Sequence, residues 1–151
     1  MHSKSRTDAN AESPDQLTER LSFFEAKRDA YASPRDVQEL QDDDAVDCQL
    51  VDVRVGPPDL LDERLPGAVH VPAPAVVDRL DEFSTEAPVV LYCWDTWCSL
   101  ATKAAIPLLE RGYDVRELHG GVAAWNTLAL PTEAVEDTAP TVPVDDEECG
   151  C

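Results

Sequence analysis

Five cysteines occur in the chain, at positions 48, 93, 98, 149 and 151, and one of them has neighbours suited to reactive chemistry. Cys93 closes the apolar run Val89-Val90-Leu91-Tyr92 and opens Cys93-Trp94-Asp95-Thr96-Trp97-Cys98-Ser99, after which a helical pattern begins at Leu100. A short β-branched run, a tight loop and then a helix predict a strand–loop–helix corner. A thiol on such a loop faces backbone N–H groups and the positive end of the helix dipole, which favours thiolate over thiol. Cys93 is the expected nucleophile, with Trp94, Asp95, Thr96, Trp97, Cys98 and Ser99 as its loop.

The elements that must position this corner read clearly. Residues 1–13 are polar and expected to be disordered. Ser13-Pro14 resembles an N-cap with proline at the first helical position, and Leu17, Leu21, Phe24 and Tyr31 follow at helical spacing, giving a helical extension over 14–32. Ser33-Pro34 repeats the start signal for a short helix with Val37 and Leu40. Leu50-Val51-Asp52-Val53 and Ala68-Val69-His70-Val71 read as strands. Pro74 should open a helix in which Val76, Val77, Leu80 and Phe83 share a face. The helix from Leu100 should turn Ala101, Ala104, Ala105, Leu108 and Leu109 inward and stop at Gly112, with a disturbance at Pro107. Tyr113 to Leu118 alternates like a strand, and Gly120-Gly121 turns into a helix holding Trp125. Strands alternating with helices predict a small α/β domain over 33–132 with a mainly parallel sheet, whose sites lie beyond the carboxyl ends of the strands. From Glu133 onward there are seven acids and no base, so 133–151 is expected to be a disordered acidic tail ending Cys-Gly-Cys.

In order and spacing, Val51-Asp52-Val53-Arg54, Leu65-Pro66-Gly67-Ala68-Val69-His70-Val71-Pro72, Leu91-Tyr92-Cys93, Gly112-Tyr113-Asp114-Val115 and Gly120-Gly121-Val122-Ala123-Ala124-Trp125 resemble a rhodanese-type sulfurtransferase domain. The resemblance covers roughly residues 30–132. It implies an α/β domain around a five-stranded, mostly parallel sheet flanked by helices. It also implies an activity that moves sulfane sulfur from a donor to a thiophilic acceptor through a persulfide on Cys93. Asp52 and Arg54 match the family's Asp-x-Arg pair and are expected to be structural support for the active loop. Related cell-cycle phosphatases use a longer loop ending in an arginine; this loop is one residue short and lacks it, so phosphate hydrolysis is not expected.

The loop departs from the family pattern. A mid-loop glycine and an arginine five residues after the cysteine are common there, whereas Thr96, Trp97 and Cys98 stand here. Without the arginine an anionic donor loses a bidentate partner, and Asp95 adds repulsion. The expected donor shifts towards a neutral or protein-bound persulfide, with Lys103 the nearby cation. Cys98 has two readings: a small residue facing the core, or a resolving thiol that attacks a persulfide or sulfenate on Cys93. Cys149 and Cys151 are candidate resolving or acceptor thiols, or simply part of a passive tail. Two thiolates supply only half of a tetrahedral zinc site, so no metal or other cofactor is expected. Cys48 reads as structural, and His70 and His119 as hydrogen-bonded turn residues.

Three functions fit these residues: sulfur transfer, thiol–disulfide redox chemistry pairing Cys93 with Cys98 or the terminal cysteines, and a non-catalytic rhodanese-like regulatory module. The expected partners are a small-molecule or protein-bound sulfane-sulfur donor and a thiol or cyanide acceptor. With 31 acids against 12 bases and a net charge of −19, nucleic acid and anionic membranes are excluded. No stretch approaches a membrane span, and the polar N-terminus lacks a signal-peptide core, so a cytoplasmic location is expected. Such an acidic chain with only three lysines is similar to cytoplasmic proteins of extreme halophiles. Self-repulsion weakens the compact state in dilute buffer and salt screens it. Thermal melts should therefore show a midpoint rising steeply from dilute buffer to molar KCl; a flat series would remove this reading.

Overall fold

Two serine–proline pairs start the first two helices of the chain, whose computed structural model describes residues 13–135. The Ser13 hydroxyl accepts from the Gln16 N–H, and the Gln16 side chain accepts from the Ser13 N–H, so two otherwise orphaned donors are satisfied reciprocally. Helix α1 then runs Pro14–Ala30. Ser33 and Asp36 form the same box at the start of α2, Pro34–Asp42. Hydrogen bonds from Ser33, the backbone N–H foremost, hold the Asp36 carboxyl below its usual range.

The strands are β1 (Tyr31–Ala32), β2 (Gln49–Asp52), β3 (Glu63–Arg64), β4 (Val69–His70), β5 (Val89–Tyr92), β6 (Val115–Leu118) and β7 (Glu133–Ala134), with helices α3 (Leu100–Glu110) and α4 (Gly121–Thr127). Five strands form one sheet in the order β1-β6-β5-β2-β4, every pairing parallel. A parallel sheet covered on both faces needs continuously apolar central strands. Accordingly all four residues of β5 are buried, and their period of two divides them between two cores. Val89 and Leu91 pack with Ala101, Ala104 and Leu108 of α3. Val90 and Tyr92 face the opposite side with Val37 of α2 and Val122 and Trp125 of α4.

Several expectations are corrected. The helix expected from Pro74 is two short 3-10 segments, Ala73–Ala75 and Val77–Glu82, with Arg79 outside helical geometry at φ −119° and ψ 27°. Val76, Leu80 and Phe83 still pack against one core cluster, but Val77, expected on the same face, is exposed. In α3, Ala101, Ala104 and Leu108 point inward but Leu109 is exposed, and the helix continues through Pro107. Helix α1 stops at Ala30, and Tyr31–Ala32, expected within the helical extension, instead form the edge strand β1 beside β6; the helix buries no side chain, and Leu17, Leu21 and Phe24 are all more than half exposed. It neighbours the sheet through β1 and β6, while α2 and α4 occupy the core face on the Tyr92 side. The expected disordered tail begins instead as β7, antiparallel to β3, because the Glu133 carboxylate accepts from the Gly67 N–H and the Val135 N–H donates to the Asp62 carbonyl. Residues 1–12 and the rest of the tail, including Cys149 and Cys151, lie outside the described residues.

Where β2 ends, Asp52 and Arg54 are both buried, at 0% and 2% exposure. The guanidinium Nε donates to both carboxylate oxygens at 3.0 and 3.1 Å, and Nη2 donates to Asp52 Oδ2 at 2.8 Å and to the Glu63 carbonyl at 2.7 Å. Breaking a buried pair from one side strands a charge, whereas removing both sides does not. Arg54→Met should therefore cost about 3–5 kcal/mol in denaturant unfolding, and adding Asp52→Asn should recover part of that loss. Additive losses in the double variant would contradict the pairing.

Candidate functional site

The loop after β5 hangs from its two ends and is gripped from one side. Gly120 and Gly121 adopt φ of 81° and 61°, the left-handed region open to glycine, and turn β6 into α4. A Cβ on Gly121 would lie 2.5 Å from the Cys93 carbonyl oxygen and 2.8 Å from the Trp94 carbonyl carbon. Its absence lets the first turn of α4 approach, so the Val122 N–H donates to the Cys93 carbonyl and the Ala123 N–H to the Trp94 carbonyl, each at 2.9 Å. The sequence signals this contact through the glycine pair, but not the loop backbone on its other side.

Trp94, half-buried, forms the floor. Its indole N–H donates to the Val55 carbonyl at 3.3 Å, and Gly56 leaves room for the ring edge. The Arg54 guanidinium carbon sits 4.7 Å from the Trp94 ring centroid and 5.6 Å from that of Tyr92. A desolvated guanidinium over an aromatic face is attracted to it. The Asp52–Arg54 pair thus lies directly beneath the loop. Tyr92 completes this support, accepting the Leu65 N–H on its hydroxyl. Burial, reinforced by the Asp52 charge, pushes the Tyr92 phenol well above its ordinary pKa, so it stays protonated.

Asp95 shapes the tip. Its Oδ1 accepts the Trp97 N–H at 2.9 Å and the Cys98 N–H at 3.1 Å, and its carbonyl also accepts from Cys98. Two N–H groups that the sequence offers to an anion are therefore taken by the chain's own carboxylate. Thr96 lies on the Gly120 side, Trp97 stands out at 83% exposure, and Ser99 precedes α3 without a side-chain cap bond. Lys103 is exposed on α3.

Cys93 and Cys98 are both buried, at 2% and 5% exposure, and they are joined by a disulfide with Cα atoms 6.2 Å apart. Cys98 therefore faces the core and is also bonded to the expected nucleophile. The preformed thiolate expected at Cys93 is absent from this oxidised state and requires reduction of the bond. Cys48 is remote in kind and place: it precedes β2 and lines a cavity of about 430 Å³ with Gln41, Leu50 and Trp125, at the amino end of that strand rather than the carboxyl end. Burial, with Asp47 adding to it, raises the Cys48 thiol above its ordinary range and keeps it protonated. His70 Nε2 lies 2.8 Å from the Arg54 carbonyl, and the His119 ring meets Tyr31 edge-on. Among the described residues no cluster of three or more His, Cys, Asp or Glu has the arrangement of a metal site. None of the described helices is long and apolar enough to cross a membrane.

Comparison with known proteins agrees with this architecture. A sulfurtransferase of Allochromatium vinosum is 32% identical over 94 residues, which cover 62% of this chain and 85% of that protein. An HTH-type transcriptional regulator of Mycobacterium tuberculosis is 30% identical over 112 residues, 72% of this chain; the chain spans about half of that relative, 49%. A full-length protein from Lactobacillus plantarum shares the fold with a TM-score of 0.71 at 24% identity, covering 82% of this chain and 100% of that one. The BH2092 protein of Bacillus halodurans does so with a TM-score of 0.69 at 24% identity, covering 78% and 86%. The profile of the rhodanese-like domain matches residues 33–128, and with that match the chain belongs to the rhodanese-like domain family.

Proposed function

We propose that the reduced protein is a sulfurtransferase that carries sulfane sulfur as a persulfide on Cys93. The observation that carries this reading is the seating of Cys93. It stands at the carboxyl end of the central strand, its carbonyl is pinned by the Val122 N–H, and α3 begins a few residues beyond it. Fixed backbone holds a nucleophile in one place without needing a histidine base, because a thiolate attacks directly. In the first half-reaction the Cys93 thiolate attacks the outer sulfur of a persulfide donor R–S–SH, the S–S bond of the donor breaks, and RS⁻ leaves with the bonding pair, so that Cys93 carries the sulfur as a persulfide. In the second half-reaction a thiol or cyanide acceptor takes that sulfur and restores the thiolate.

The loop favours a neutral or protein-bound donor. Asp95 places a carboxylate at the tip, Arg54 is committed to Asp52, and the exposed Trp97 offers an apolar contact for a protein partner. The second reading, thiol–disulfide redox chemistry, is favoured by the Cys93–Cys98 bond itself.

After reduction and removal of the reductant, intact mass should show one added sulfur on exposure to polysulfide, removable by cyanide as thiocyanate. Cys93→Ser should lose at least about 10³-fold in thiocyanate formation with its melting curve intact; retained turnover would defeat the assignment. Asp95→Asn keeps the acceptor for the two loop N–H groups but removes the charge. It should raise kcat/KM for thiosulfate about fivefold, the effect of roughly 1 kcal/mol of repulsion at a partly exposed site, and leave a neutral persulfide donor unchanged.

A further inference from the structure

We propose that Cys98 discharges the Cys93 persulfide as hydrosulfide, so that the loop reduces sulfane sulfur as well as carrying it. This rests on the persulfide reading of Cys93. In the step, the Cys98 thiolate attacks the Cys93 Sγ, the bond between Cys93 Sγ and the outer sulfur breaks, and HS⁻ leaves with the electron pair. The protein is left as the Cys93–Cys98 disulfide. The outer sulfur gains two electrons and the two cysteines lose them. A dithiol reductant of small-molecule or protein class then reopens the bond and is itself oxidised to a disulfide.

Three observations carry the proposal. The product of the step is the bond present in the structure, and its 6.2 Å Cα separation lies within the ordinary span of a disulfide. Both partners are also held for it. Cys93 is pinned through its carbonyl by α4, and Cys98 is fixed by Asp95, which accepts its N–H. Holding reactants in place makes the step intramolecular and effectively fast. Finally, Cys93 and Cys98 belong to one buried cluster, so each is the other's immediate thiol partner among the described residues. An attack on the outer sulfur instead would only pass the persulfide to Cys98. Attack on Sγ gives the bond that the fold accommodates.

The full chain, reduced and freed of reductant, is given one equivalent of inorganic polysulfide, and released sulfide and protein mass are followed together. Beyond the sulfide left by the polysulfide itself on loading, the wild type should release about one sulfide per chain without added thiol and lose two hydrogens, with peptide mapping placing the disulfide between Cys93 and Cys98. Cys98→Ser should keep the added sulfur on Cys93 and release only the sulfide left by the polysulfide itself on loading, about one equivalent less than the wild type, until external dithiol is supplied; Cys98→Ala should behave alike if serine perturbs the core. A wild type that retains its persulfide beside a free Cys98 would overturn the proposal. So would sulfide release from Cys98→Ser at the wild-type rate, or a wild-type disulfide mapped from Cys93 to Cys149 or Cys151. No sulfur gained by Cys93 in either Cys98 variant would instead overturn the persulfide reading beneath it.

Discussion

The buried ion pair of Asp52 and Arg54 ties β2, β3 and the loop after β5 together. Asp52 ends β2, the guanidinium reaches the carbonyl of Glu63, the first residue of β3, and its face lies under Trp94, the first residue after Cys93. Two charges removed from water are held by their mutual fork of hydrogen bonds and by the Glu63 carbonyl, which takes a further guanidinium N–H. The consequence is positional. The carboxyl end of β2, the start of β3 and the floor of the loop after β5 are fixed relative to one another by one planar, bidentate group.

What the sequence revealed and what it hid divide along physical lines. Strong local signals carried through: both serine–proline starts became capped helices, and the uninterrupted apolar run ending at Tyr92 became the central strand. Local pattern failed after Pro72, where the segment is two short 3-10 pieces and Arg79 leaves helical geometry. The partners of long-range contacts were also hidden. Nothing in Gly120-Gly121 names the Cys93 and Trp94 carbonyls as what approaches it, nor does the acidity of Glu133 announce a strand beside β3. A bond between Cys93 and Cys98 was one of two readings left open by the sequence; that Asp95 would turn inward upon the loop N–H groups was not legible, since an Asx-type turn depends on the closed loop geometry.

The loop has exchanged one kind of electrostatics for another. A cradle of N–H groups at the start of a helix attracts whatever anion lies closest, and here the nearest anion is covalently attached. The Asp95 carboxylate orders the tip without a bound ligand. In this form the loop is shaped and stapled, with sulfur chemistry confined between two sulfurs that share one core.

Helix α1 has a consequence for how the protein behaves in solution. It carries Leu17, Leu21 and Phe24 into solvent on an otherwise heavily anionic molecule. In dilute buffer, repulsion between like-charged copies keeps those apolar stripes apart. Salt that relaxes repulsion within one chain relaxes it between chains too, while strengthening the tendency of exposed apolar surface to be covered. Added salt therefore acts on the same polypeptide in two places, screening charge within the domain and lowering repulsion between copies, and the second effect bears on a helix that buries no side chain.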